Sequence, residues 1–448
     1  MNFSLVCLLF FCYMIGCIIL LCLSILPICF PYDIWPLLWI KTSLQILEYI
    51  LCNILNMKLV LSNVSEVVNS TEPSYLAKPW IQCYESKVKC TRRGERECCS
   101  LTVRTYDQPG RWMSKTSMDL LVQELRQIAQ DSLDEIPLYG VFSGNRQSLK
   151  NRIISIAYDK NEPVGFTAMC YLPPIDSSVV DKYENLLQAK NSSWNQYILH
   201  LIFRNVLHLY HGPILHLGLT MIKRHHRGRG IQSSIFLKCL ILPVLNQRKL
   251  FFPITNIAAS PAGIGAVSDY FFMSYPTYHT KNRRLLFHLA TALHVLASSR
   301  HEFGCSTLAK FEESTFVVRG SNDPTGGGAF AFIKEDGKPV SQYKNPLCNQ
   351  YCASLLRLEA GDELFQVAIF CPLFSIFQFL FSNLSYNHFS RKHVSLMMEK
   401  RKALLIKPNM HWYILGCLFL VVYFAWSRSI LVGNFLRHRE TECLFAVA

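Results

Sequence analysis

Charge is scarce in this chain. Of its 448 residues only 17% are Asp, Glu, Lys or Arg, while 50% are hydrophobic. That balance is too apolar for an ordinary soluble protein and implies membrane-embedded segments. Charges of either sign are absent from Phe3 to Phe30, a run longer than the roughly 20 residues a helix needs to cross a bilayer. No basic residue precedes it, and it exceeds a signal-peptide core of about 7–15 residues, so a retained anchor is the preferred reading. The net charge of +14 allows nucleic acid, an anionic membrane or an anionic cofactor as partner. Lysine and arginine tracts interleaved with aromatics are missing, as are zinc-finger spacing and an RNP-like motif, so nucleic acid is the weakest of the three. Paired short cysteine spacings are also missing. Among 18 cysteines, those from Cys7 to Cys29 lie in the apolar run, Cys83, Cys90, Cys98 and Cys99 cluster, and Cys348 and Cys352 form a C-x3-C. None makes a zinc site; free thiols are expected, with disulfides in the Cys83–Cys99 cluster open if that stretch is lumenal. No Lys-Ser/Thr follows Gly326-Gly327-Gly328, which excludes a P-loop and reads as a hairpin turn.

Further apolar runs flank the middle of the chain. Ile34 to Leu61 carries Lys41, Glu48 and Lys58 and reads as a second span or an interfacial amphipathic helix. His411 to Trp426 is bounded by tryptophans, like an interfacial belt. Phe365 to Leu384 is either a span or a buried strand (Phe365 to Phe370) leading into an interfacial helix. The segment Arg391 to Lys407 is rich in Lys and Arg, which favours the cytosolic side and the non-spanning reading of 365–384. The expected organisation is a membrane anchor at 1–62, a polar linker at 63–97, a globular domain at 98–290, an α/β extension at 291–375, and a basic segment with a C-terminal membrane helix at 376–448. The chain is therefore expected in a membrane with its globular domain facing the cytosol.

Within that domain the spacing predicts a strand at Ser100–Arg104. A helix follows over Met118–Ala129, with Leu120, Leu121, Leu125 and Ile128 at helical spacing and Ser117 as N-cap. Arg152–Tyr158 and Pro163–Leu172, joined by Asp159–Glu162, form a hairpin. After an insertion at 175–212 come a strand at Ile214–Ile222, a basic glycine-containing loop, a helix through Ile235–Leu245, a strand at Leu250–Ala258 and a helix opened by Ser260-Pro261. Thr315–Val318 and Ala329–Ile333 read as further strands, and the aromatic run Tyr270–Tyr278 as core. This order is that of an α/β domain with a mixed sheet.

A strand that runs into glycines and then a helix makes an anion cradle, because glycine admits close approach and the first helical N–H groups are unpaired. Here that loop is His225-His226-Arg227-Gly228-Arg229-Gly230-Ile231-Gln232, with two arginines adding positive charge. Arg227-Gly228-Arg229-Gly230 resembles the R/Q-x-x-G-x-G/A cofactor signature of the GNAT acyltransferase superfamily. The Pro163-Val164-Gly165-Phe166 hairpin resembles that family's second and third strands, and Ser260-Pro261-Ala262-Gly263-Ile264 the helix start after its fifth. The resemblance spans roughly residues 100–290, with departures: Gln232 stands where Gly or Ala is usual, Ser260 where Asn is frequent, and Val267 where a helical tyrosine is usual, with Tyr270 one turn away.

The resemblance implies a twisted mixed sheet flanked by helices, with acyl-CoA, acetyl-CoA by default, lying along Ile214–Ile222. Backbone groups of Met221 and Ile222 would pair with the pantetheine arm. The amides of Arg227, Gly228, Arg229, Gly230 and Ile231, with Gln232 following, would hold the pyrophosphate, and no metal is called for. The reaction would be attack of an amine on the thioester. His216 and Glu162 are the candidate bases and Tyr270 a candidate acid. Membrane lipids and an amine acceptor are the expected partners. Two other readings stay open: a non-catalytic GNAT-like module that binds CoA or a protein, and a membrane scaffold whose basic loop binds anionic lipid.

Overall fold

The computed structural model describes residues 57–61, 75–76, 79–91, 98–133, 135–137, 140–182, 200–247, 249, 251–279, 284–329, 333 and 340–371. All belong to one unit, Tyr49–Leu384. Its frame is a twisted sheet of eleven strands: β1 (Met57–Leu61), β2 (Ile81–Thr91), β3 (Cys98–Asp107), β4 (Arg152–Asp159), β5 (Glu162–Leu172), β6 (Ile214–Ile222), β7 (Phe252–Ala258), β8 (Phe272–Tyr275), β9 (Lys310–Glu312), β10 (Val317–Arg319) and β11 (Glu363–Phe370). The spatial order is β1-β2-β3-β4-β5-β6-β7-β11-β10-β9, with β8 also on β11. Neighbours from β1 to β6 are antiparallel, and β6 and β7 are parallel. A parallel pair cannot be closed by a tight turn; here the connection is a helix, α2 (Ile231–Gln247).

The β4–β5 hairpin forms through Lys160 and Asn161, both at positive φ (48° and 75°), the conformation a two-residue turn between twisted strands requires. One face of β4–β6 is covered by α1 (Lys115–Gln130). Its buried residues Met118, Leu121, Val122, Leu125, Ile128 and Ala129 form one stripe against Ile154, Ile156, Phe166 and Met221. Each such large side chain contributes roughly 1.5–3 kcal/mol on burial. The other face is covered by α2, whose Ile231 and Ile235 meet Val103, Ala157, Val164 and Ile222. Asn246, near the end of α2, bonds both backbone groups of Ile81 at 3.0 Å and the Asp107 carboxyl. α3 (Pro261–Tyr270) and α5 (Pro346–Leu355) pack with β10 and β11 around Ile264, Val317 and Leu364, and α4 (Leu286–Ser298) lies on β11.

Several expectations shift. The N-cap of α1 is Ser114, not Ser117; the Ser114 hydroxyl accepts the Ser117 N–H, so the helix begins a turn earlier. Leu120 is exposed, off the buried stripe. The stretch expected as linker holds β2, and Met57–Leu61, read as the end of a span or interfacial helix, is the strand that pairs with it. Phe365–Phe370 is a buried strand paired with β7. Gly326 and Gly327 close a single 3-10 turn, Pro324–Gly326, capped by Asp323. Neither Ala329 nor Ile333 is in a strand. In the aromatic run Phe271 is buried but Phe272 is exposed. Among the described residues no helix is long and apolar enough to cross a membrane, no cluster suits a metal, and Cys83, Cys170, Cys239, Cys305, Cys348, Cys352 and Cys371 are free. The apolar run from Phe3 to Phe30, the C-terminal helix, the basic segment Arg391–Lys407 and the helical middle of the 175–212 insertion lie outside the described residues.

Candidate active site

The site begins where the sheet comes apart. β6 pairs with β7 only over Leu215–Leu217, opposite Ile254–Asn256. Beyond that point both strands continue without pairing to each other. At the parting β6 carries a bulge: the register to β5 shifts between Thr167 and Met169, so Gly218 and Leu219 together face Ala168. A side chain at 218 would press into the Ala168 carbonyl oxygen, which restricts the bulge to glycine. Residues 218–220, though on a central strand, regain exposure.

Alternation decides which backbone groups face the gap. Lys223 N–H bonds Val164 O at 2.9 Å, and Gly165 lies opposite Ile222. In an antiparallel ladder this turns the N–H and C=O of Ile222 and Thr220 away from β5 and those of Met221 toward it. Ile222 and Thr220 therefore present backbone groups to the gap, and Met221, expected to do so, does not. The Ile222 carbonyl accepts from Arg227 Nε at 3.0 Å.

The gap opens into a cavity of about 1040 Å³. One wall is β6, the other is the end of β7 with α3. Its floor holds His216 and Phe303, whose rings stack at 4.5 Å. The mouth is the basic loop. There Gly228 and Gly230 have φ of 77° and 74°. A side chain on either would meet no neighbouring atom, so backbone conformation rather than packing demands glycine, and the space above the loop stays clear. The first i→i−4 bond of α2 runs from Ser234 N–H to Gly230 O, which leaves the N–H groups of Ile231, Gln232 and Ser233 as the orphan donors of the helix start. All three residues line the cavity. Gln232 is exposed at the mouth.

Arg224 and Arg227 line the cavity and also brace the loop. Arg227 bonds Ile222 O and Ser132 Oγ (2.7 Å), and its own N–H goes to Arg224 O at 3.3 Å. The Arg227 amide is thus used inside the loop, unlike the expectation of a cradle that starts there. Arg224 N–H bonds Asp131 Oδ2, tying the loop to the end of α1. Arg229 is half-buried and contributes nothing to the cavity lining. His225 is exposed, and His226 lines the cavity mouth.

Of the three candidate catalytic residues, two reach the cavity. His216 is 1% exposed and bonds Thr255 Oγ1 through Nδ1 at 3.0 Å. Burial, and then the charge of Arg152, lower its pKa to about 3, so the ring is neutral at any physiological pH. Tyr270 lines the wall near Lys344, whose Nζ lies 5.6 Å from the ring centre; Val267 lines the same wall. Glu162 lies outside the lining. It is exposed in the hairpin and bonded to Lys223 Nζ at 2.7 Å, which holds its carboxyl below the usual range.

Two carboxyls that no sequence motif marked complete the lining. Glu302 pairs with Arg152 at 2.6 Å beside Cys170 and next to the His216 floor. Glu363, first residue of β11, accepts from Ser321 Oγ at 2.6 Å. The only local signal for it was an acidic residue opening an otherwise apolar strand.

No protein-family model and no curated protein matches the chain. Among solved structures, an arylalkylamine N-acetyltransferase 7 from the yellow fever mosquito, Aedes aegypti, overlaps 43% of this chain and 78% of its own at 9% identity, with a TM-score of 0.22. That overlap is too loose to carry an argument about this chain.

Proposed function

We propose that this chain is a GNAT-like acyltransferase that moves an acyl group, acetyl by default, from acyl-CoA to an amine. One observation carries the reading. The parallel pair β6/β7 parts at Leu217/Asn256, and the cavity so opened runs along unpaired β6 backbone to a positive-φ glycine turn at the start of α2. A long thioester cofactor with anionic phosphates matches that layout. The N–H groups of Ile231, Gln232 and Ser233, and the helix dipole behind them, favour the phosphates. Thr220 and Ile222 supply polar backbone along the strand for an extended amide-containing arm. About 20 Å of strand separates Ile222 from His216, so a cofactor anchored at the loop reaches toward the cavity floor. The Arg227–Gly230 and Ser260–Ile264 resemblance supports the same placement.

Bound acyl-CoA supplies the activated carbonyl. The unprotonated amine nitrogen attacks the carbonyl carbon, the C–S bond breaks, and the proton that the nitrogen then sheds ends on the sulfur, so CoA leaves as the thiol. The chain's part is to hold the two reactants together and exclude water. His216, neutral and fixed by Thr255, orients the floor through that bond and its stacking on Phe303; Tyr270 is the proton donor closest to the family's position. The apolar runs at both ends of the chain support attachment to a membrane.

The full-length protein should bind acetyl-CoA by calorimetry and release thiol with a subset of a primary-amine panel. Gly228→Asp with Gly230→Asp should weaken binding at least about tenfold, ~1.4 kcal/mol, because a carboxylate then occupies the anion cradle. Absence of binding by folded protein would sink the proposal. Binding without thiol release for any amine would assign a non-catalytic module. Lipid-headgroup binding that survives the glycine changes and falls with salt would assign a scaffold role.

A further inference from the structure

Among the described residues Glu363 is the cavity carboxyl that has no ion-pair partner. Of the two on the lining, Glu302 is matched by Arg152 at 2.6 Å. Glu363 has hydrogen-bond donors but, among the described residues, no ion-pair partner. Its neighbour in sequence shows that this is not for want of cations nearby. Asp362, buried, takes Arg319 at 2.8 Å and Arg357 at 3.0 Å, and Arg319 also serves Glu312. Alternation along the strand puts Asp362 and Glu363 on opposite faces, so Arg319 and Arg357 serve the Asp362 face. Lys344 also lines the cavity, beside Tyr270, where it pairs with Asp269 at 3.6 Å. Arg224 and Arg227 stand at the loop, and an unmatched carboxyl stands on the opposite wall beyond β7, across the position of Ala259.

A carboxylate held in a cavity without a counter-charge is costly, so the group either holds a proton or binds a cation there. Burial raises the Glu363 carboxyl above its usual range, against the hydrogen bonds from Ser321 and Asn322 that oppose the shift. Those donors hold the carboxyl in place at the lining.

We infer that Glu363 is the specificity-determining residue for the acceptor: its carboxylate receives the ammonium group of a primary amine entering the cavity across from the cofactor loop and takes one of its protons, which frees the nitrogen lone pair for attack. The inference rests on the acyl-CoA reading and narrows it. The favoured acceptors are cationic amines, and neutral alcohols of the same shape are discriminated against. A site built around an ionic partner rejects the uncharged isostere, because the carboxyl would otherwise stay buried and unmatched.

The test uses the full chain saturated with CoA, which cannot transfer an acyl group. Primary alkylamines from propyl to octyl and the matching alcohols are titrated by calorimetry. The amines should bind at least about tenfold tighter than the alcohols, ~1.4 kcal/mol. Glu363→Gln should remove that advantage and leave CoA and alcohol affinities unchanged. Equal binding of amines and alcohols by the wild-type protein would overturn the inference even if the variant does not fold. An unchanged amine preference in folded Glu363→Gln would overturn it equally. Failure of CoA itself to bind would overturn the acyl-CoA reading and the acceptor assignment with it.

Discussion

His216 shows how a residue's surroundings rewrite what its type suggests. A strand histidine next to a glycine-rich loop reads as a candidate base because its ordinary pKa suits proton transfer. Its burial on the floor, beside Arg152, makes the charged form so costly that the pKa falls to about 3. His288, buried and bonded to Met273 O, is lowered to about 4 for the same first cause. Both bind protons more readily in the unfolded chain. Their contribution to stability is therefore present above the ordinary histidine pKa of 6.5 and is lost as pH falls from there toward the folded values. For His216 the loss between about pH 7.5 and about pH 5 is about 2 kcal/mol. Urea denaturation at the two pH values should show that share disappear in His216→Phe, which keeps a ring against Phe303. An undiminished pH dependence would mean the ring is not held neutral.

At the scale of elements, the join between α2 and the first strands is a single side chain. Asn246 satisfies both backbone groups of Ile81 and reaches Asp107. Removing it leaves buried donors and acceptors without partners, so Asn246→Ala should cost on the order of 3 kcal/mol, read as a shift of the urea midpoint. A loss below about 1 kcal/mol would show that water or repacking replaces these bonds. The Gly218 bulge is the second such joint. Gly218→Val should disturb the β5–β6 register and weaken acetyl-CoA binding at least about tenfold, ~1.4 kcal/mol, because the added side chain would push the strand off the Ala168 carbonyl. Binding at the wild-type level would place the ligand elsewhere.

The elements that build the cleft were also the ones most readable in sequence. The β4–β5 hairpin, β6 with its glycine loop, and the Ser260-Pro261 helix start each follow from local rules: a polar turn between apolar runs, glycines after a strand, a hydroxyl cap before proline. β2 escaped because its buried residues, Ile81, Tyr84 and Ser86, follow no apolar alternation; its pairing with β1 and β3 shapes it. Glu302 and Glu363 were invisible for a different reason. Neither belongs to a motif, and only the antiparallel docking of β11 beside β7 and the turn after α4 bring them to the lining. Met221 was misassigned because which backbone groups face a gap depends on ladder parity, which no residue type encodes.

On the scale of the whole unit, an antiparallel run from β1 to β6 meets a second group, β7-β11-β10-β9, through one short parallel contact. β6 and β7 part beyond Leu217 and Asn256. The cofactor reading stands on that divergence, because it exposes central-strand backbone that a continuous sheet would bury. Hydrogen exchange of the full chain with and without acetyl-CoA tests it most directly. Peptides that cover 217–222 and 228–234 should gain protection on addition of acetyl-CoA, with β1–β3 unchanged. Protection confined to other segments, or none in the presence of measured binding, would contradict a cofactor seated between β6 and β7.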